Sequence, residues 1–194
     1  HLRRHDFDAI KSMPGVRAAV EVPNGIAVVA NSFWRAKTAL EVMPIEWDFG
    51  AHANANSETF RKIFREALDK PGVVAKEDGD ALAALKAAGK VVEADYEVPY
   101  LAHACMEPMN CTAQVRPERV DVWVGTQNPE AALAAAAEIT GVVLENVYVH
   151  NCFLGGGFGR RGNTDHIRQA VTVAKALGEQ PVQLIWGREE DIRH

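Results

Sequence analysis

Leu154-Gly155-Gly156-Gly157-Phe158-Gly159-Arg160-Arg161-Gly162 lies between a β-branched apolar run, Val147-Tyr148-Val149, and a helical pattern beginning near Asn163-Thr164. Five glycines in the eight positions from Gly155 to Gly162 strip away side chains. Backbone N–H groups can therefore come close to a ligand, and the chain can adopt φ > 0. Beside a helix N-terminus those N–H groups favour negative charge. A phosphate, pyrophosphate or metal-oxo group suits such a cradle. Flexible glycine linkers are usually Ser-rich and polar, whereas this loop is entered through Cys152-Phe153-Leu154, which wants burial. The alternative is a structural tight turn.

Working outward, the flanks read as alternating strands and helices. Toward the C-terminus, a helix from Thr164 to Leu177 stops at Gly178 and a strand follows over Val182–Trp186. Toward the N-terminus, Val120–Val124 and Val147–Val149 read as strands. They flank a helix over Ala131–Ile139, opened by Asn128-Pro129 and closed by Gly141. Val91–Val98 alternates as a further strand. This order predicts a mixed α/β layer rather than a bundle or sandwich. Residues 1–50 predict a short helix over Phe7–Met13, strands at Val16–Val22 and Ile26–Ala30, a helix capped by Ser32, and a strand at Ile45–Trp47. Residues 51–90 read as a polar helical connector, with Ser57 capping one helix and a second running from Asp80 to Ala88. The organisation expected is therefore 1–50, 51–90 and 91–194.

Composition narrows the function classes. With 47% hydrophobic residues the 194-residue chain can build a core. A net charge of −5 supplies no basic stripe for nucleic acid, and no apolar run approaches the roughly 20 residues of a transmembrane helix. His1-Leu2-Arg3-Arg4-His5 lacks the apolar segment of a secretion signal, so the chain reads as beginning inside a fold. Cys105, Cys111 and Cys152 form no C-x-x-C pair, which leaves no iron–sulfur or zinc motif here.

The Gly125-Thr126-Gln127-Asn128-Pro129 turn also falls after a strand and before a helix. In α/β sheets ligands sit beyond the carboxyl ends of strands, so this turn and the glycine loop meet if their strands are parallel neighbours. Gln127 then faces the loop, offering an uncharged amide to an oxo or hydroxyl group; otherwise it serves only as a helix-start hydrogen bonder. His103 and Glu107 suggest a metal pair only on a helix, and Pro108 disfavours that conformation at Glu107. No metal ligands are assigned, and Glu107 is expected to hold local backbone. Gly157–Gly162 also satisfies G-x-G-x-x-G, with arginines for a 2′-phosphate, so an NADP-binding module is a rival reading. Against it, Gln183 stands near where an acidic residue is expected. A folded fragment or scaffold without cofactor is the third reading.

Four ordered segments carry a resemblance: Ala102–Pro108, Trp123–Pro129, Gly155–Arg161 and Val182–Asp191. They resemble the large, molybdopterin-binding subunits of the xanthine oxidase family of molybdenum hydroxylases, most closely those of isoquinoline 1-oxidoreductase and bacterial aldehyde dehydrogenases. The resemblance implies the end of an a/b hammerhead domain followed by the first part of a molybdopterin-binding domain. It implies that Gln127 is the catalytic glutamine approaching a molybdenum oxygen. Gly155, Gly156, Gly157, Phe158, Gly159 and Arg160 match the cofactor-binding loop. The cofactor implied is molybdenum with molybdopterin cytosine dinucleotide, and [2Fe–2S] clusters are expected on a small partner subunit. The substrates implied are aldehydes or N-heterocycles, hydroxylated with oxygen from water; Gly162 stands where purine-oxidising members carry a glutamate, which argues against purines. The catalytic base is expected beyond residue 194, so the chain reads as a fragment inactive alone. Bacterial cytoplasm and periplasm both remain open.

Overall fold

In the computed structural model, which describes residues 1–193, contacts divide the chain into two units. One joins His1–Asp48 with the segment from Leu101 onward, and the other is Phe49–Tyr100. The first unit opens with β1 (Leu2–His5), then β2 (Val16–Val22) and β3 (Gly25–Ala30), α1 (Phe33–Val42) and β4 (Ile45–Trp47). β2 and β3 form an antiparallel hairpin, and β1 pairs antiparallel with β4. Ser32 accepts the Arg35 N–H as the α1 cap. Ile10, Ala39 and Met43 are buried between these elements. The predicted helix over Phe7–Met13 is only a 3₁₀ turn at Phe7–Ala9, because Pro14 biases Met13 away from the helical region. β1 had no sequence signal: a stretch as polar as Arg3-Arg4-His5 is a strand only because β4 supplies its partner.

The Phe49–Tyr100 unit holds α2 (Ser57–Leu68) and α3 (Ala81–Ala87). Asn56, not Ser57, caps α2, in a reciprocal box with Thr59. Phe60 and Phe64 lie on one helix face, one turn apart, and each approaches the Tyr100 ring at 6.2 Å. The expected strand over Val91–Val98 is irregular backbone. Its alternation has no neighbouring strand to bond, and Val92, Tyr96 and Val98 are more than four-fifths exposed.

The remainder of the first unit carries the sheet: β5 (Asn110–Arg116), β6 (Arg119–Val124), α4 (Pro129–Thr140), β7 (Val147–Asn151), α5 (Asp165–Ala176), β8 (Val182–Ile185) and α6 (Arg188–Arg193). The strand order is β7-β6-β5-β8, with β6 and β7 parallel and β5 antiparallel to both β6 and β8. The expected α/β layer is therefore a mixed sheet. β5 carries little strand signal of its own because its core-facing residues, Cys111 and Ala113, are small and weakly strand-forming. One sheet face buries Cys111, Ala113, Val120, Val122, Val124 and Val147 against Ala132 and Ala136 of α4 and Ile167, Ala170, Val171 and Ala174 of α5. Small residues on α4 allow this close approach. Asn128 Oδ1 accepts the Ala131 N–H, Pro129 sits in the first turn, and Gly141 closes α4 at φ +77°. Gln169 of α5 donates to the Pro23 carbonyl, seating α5 on the β2–β3 hairpin.

On the opposite sheet face, Asp121 is 2% exposed and accepts from Arg119, Arg116 and His150. Arg119, outweighing burial, holds this carboxyl well below the usual carboxylate range, with help from His150 and Arg116. A depressed pKa contributes stability above the unfolded value near 4, and that stability is lost as pH falls below it. Asp121→Asn is expected to cost about 2 kcal/mol at pH 7, less than the roughly 3–5 kcal/mol of a fully buried broken pair, because both arginines keep contact with water. Urea midpoints of wild type and variant should converge as the pH falls from 5 toward 2; a gap that persists would assign the loss to packing.

Candidate functional site

Because β6 and β7 run parallel as neighbours, both chains leave the sheet at the same end. The turn after β6 therefore lies against the loop after β7. Gln127 N–H donates to the Arg161 carbonyl at 3.1 Å, and the Thr126 hydroxyl donates to that same oxygen at 3.0 Å. Gln127 Oε1 accepts the Gly159 N–H at 3.1 Å. This proximity leaves no free room for a Cβ at three glycines. A Cβ on Gly125 would lie 2.9 Å from that of Leu154, one on Gly155 2.6 Å from that of Glu107, and one on Gly157 2.5 Å from Gln127 Oε1. Phe158, at φ +52° and three-quarters exposed, adopts a left-handed backbone rare for an aromatic. Such strain persists only where surrounding contacts over-determine it.

Those contacts come from beneath the loop. Arg161 is fully buried, and its guanidinium donates to the carbonyls of Gly156 (2.8 Å), Gly125 (3.3 Å) and Glu107 (2.8 Å). It also pairs with the Glu107 carboxylate at 2.9 Å. That carboxylate accepts the Gly155 N–H (2.6 Å) and the Asn110 amide (2.7 Å). Burial raises the Glu107 pKa, but Asn110, the Gly155 N–H and Arg161 outweigh it and hold the group below its ordinary value. Glu107 thus holds backbone, though that of Gly155, 48 residues away, rather than the local backbone its sequence context suggested. Nothing in the sequence announced its partner Arg161, 54 residues away.

The sequence had offered Arg160 and Arg161 to an anion, and the structure turns both inward. Arg160 is 4% exposed and forks onto Asp165 at 2.8 and 3.1 Å. Burial raises the Asp165 pKa, but bonds from His166 and Arg160 bring it well below the carboxylate range. Neither arginine is at the surface, where the NADP reading needs a 2′-phosphate contact. The donors left over are three backbone N–H groups, of Gly156, Gly157 and Phe158, and one side-chain amide, Gln127 Nε2; none has a partner among the described residues. Asn128, not Gln127, caps α4. His103 is exposed and lies in irregular backbone, not on a helix. Cys105 lies buried under the loop, with Sγ 3.4 Å from the Gly157 carbonyl.

The glycine loop and the Gln127 turn both lie within the part of the chain that the family comparison covers. The model of the molybdopterin cofactor-binding domain matches residues 66–194. The chain belongs to this family. It is 26% identical to isoquinoline 1-oxidoreductase subunit beta of Brevundimonas diminuta, over 98% of this chain and 26% of that protein. It is 29% identical to the membrane-bound aldehyde dehydrogenase (pyrroloquinoline-quinone) of Gluconacetobacter polyoxogenes, over 89% of this chain and 22% of that one. The chain thus spans about a quarter of the length of these relatives. Its fold is shared with quinoline 2-oxidoreductase of Pseudomonas putida 86, at a TM-score of 0.69 and 18% identity, over 98% of this chain and 30% of that structure. Among the described residues no helix is long and apolar enough to cross a membrane.

A molybdopterin-type cofactor fits these residues on structural grounds. The crowding at Gly125, Gly155 and Gly157 leaves the loop bare, and the unused donors on the loop and on Gln127 suit an anionic, oxygen-rich group.

Proposed function

We propose that this molybdopterin-binding chain forms part of the large subunit of an oxidoreductase that hydroxylates an N-heterocycle or oxidises an aldehyde, with water as oxygen source. The observation carrying this reading is the set of unused donors: Gln127 Nε2 and the Gly156, Gly157 and Phe158 amides. The cofactor, when bound, supplies the two-electron oxidation and the oxygen transfer. The chain's own residues bind and orient it. Gly155–Gly159 offer backbone against it, and Arg160 shapes the loop through Asp165 rather than touching the ligand. Gln127, its Oε1 held by Gly159, directs Nε2 toward an acceptor atom of the bound group. We assign residues 1–50 to the end of a hammerhead-type domain, 51–90 to a connector and 91–194 to the start of the cofactor domain. The finer proposals are a cytosine dinucleotide form of the pterin, and [2Fe–2S] clusters on a small partner subunit. A separate carrier is consistent with a chain whose three cysteines include two buried ones and no clustered set.

The test is composition of the purified enzyme. One molybdenum per large subunit, with cytidine monophosphate released on mild acid hydrolysis, is expected. Saturable NADP binding without molybdenum would revive the dinucleotide reading, and absence of both would leave a scaffold.

A further inference from the structure

Arg161 is itself fully buried, out of a ligand's reach, yet it grips every segment of the site. Its side chain bonds the carbonyls of Gly125, Gly156 and Glu107 and pairs with the Glu107 carboxylate. Its own carbonyl receives the Gln127 N–H and the Thr126 hydroxyl. Glu107 completes the link: its carboxylate accepts the Gly155 N–H and its N–H donates to the Gly155 carbonyl at 3.1 Å. Three segments far apart in sequence, around Glu107, Gly125–Gln127 and Gly155–Gly159, are therefore cross-braced by one buried guanidinium. The planar fork of arginine can serve divergent acceptors at once, whereas a lysine ammonium is a point charge on a flexible stem.

We propose that Arg161, braced by Glu107, is a positioning residue that sets the separation between the Gln127 amide and the unused amides of Gly156–Phe158. This rests on the proposed cofactor role of those donors. Orientation errors of about 1 Å at a reacting centre cost about 100-fold in rate. A clasp that holds both turns is thus worth as much to turnover as a residue that touches the ligand. Its signature is co-operative: Gln127 N–H and Gly155 N–H cannot be released independently, because the same clasp holds both acceptors.

The test has two arms. In the 194-residue chain, amide hydrogen exchange followed by NMR should give Gln127 and Gly155 protection factors within about three-fold of each other. Arg161→Lys should raise exchange at both by more than about ten-fold while leaving Val122 and Val171 within about two-fold. In the cofactor-loaded enzyme, the same variant should lower kcat per molybdenum about 100-fold with KM nearly unchanged, and should alter the molybdenum(V) electron paramagnetic resonance signal. A merely structural arginine would speed exchange everywhere together and leave that signal unchanged. Independent exchange of Gln127 and Gly155 in the wild type overturns the proposal, as does an Arg161→Lys enzyme with normal kcat per molybdenum. If Arg161→Lys does not fold, Glu107→Gln and the wild-type exchange pattern decide it by the same criteria. Should the exchange pattern hold while Gln127→Ala leaves turnover intact, the clasp stands and the assigned role of Gln127 falls.

Discussion

Gln127→Ala in the cofactor-loaded enzyme is expected to lower kcat per molybdenum about 10²–10³-fold with little change in KM, the cost of losing one preorganised donor. The Gly159 N–H holds Oε1, so the amide cannot rotate freely and Nε2 is aimed before any ligand arrives. Interactions that strengthen as charge develops appear in turnover rather than in ground-state binding. The helix start gives the internal control. Because Asn128 is the residue capping α4, Asn128→Ala should cost about 1 kcal/mol of stability and leave turnover per metal normal. Gln127→Ala should show the reverse pattern. Rates normalised to molybdenum content, measured beside thermal unfolding, separate the two. A Gln127→Ala enzyme that is less stable but turns over normally removes Gln127 from the site.

Gly157→Ala should be as damaging to turnover as Gln127→Ala, about 10²–10³-fold, by evicting the same amide. The added methyl would lie 2.5 Å from Gln127 Oε1 and 2.6 Å from its Cδ, well inside the roughly 3.5–4.0 Å of a favourable contact. What it meets is the far end of a flexible side chain, and Gly157 does not occupy the left-handed backbone region. The protein can therefore fold by swinging Gln127 aside, at about 1–3 kcal/mol for overpacking. Since both changes remove one amide, the double variant should fall no further than either single one. Multiplying losses would show that Gly157 acts through some contact other than Gln127. At Gly155 the collision is with Glu107 Cβ at 2.6 Å, close to its backbone, and no such escape exists.

The glycine loop, the Gln127 turn and their placement after strands were legible in the sequence because each is local. Strand periodicity at Val120–Val124 and Val147–Val149 and the Asn128-Pro129 helix start lie within a few residues, and the geometry they specify needs no distant partner. The same locality explains the errors. Val91–Val98 has strand periodicity and no strand beside it, while β5 has weak periodicity and two. Strand formation is decided by pairing, which no single stretch encodes.

The charged residues divide in the same way. The sequence by itself determined that two arginines adjoin a bare glycine loop, and that no clustered cysteines or apolar span accompany them. Whether those arginines meet a ligand or the protein depends on what lies beneath the loop, and only the tertiary structure decided it. The fold brings Glu107 and Asp165 to the buried guanidiniums, because a buried cation must be paired within the chain or remain in water. With both arginines committed inward, the proposed recognition rests on backbone amides and Gln127, donors of modest individual strength that the packing holds in place together.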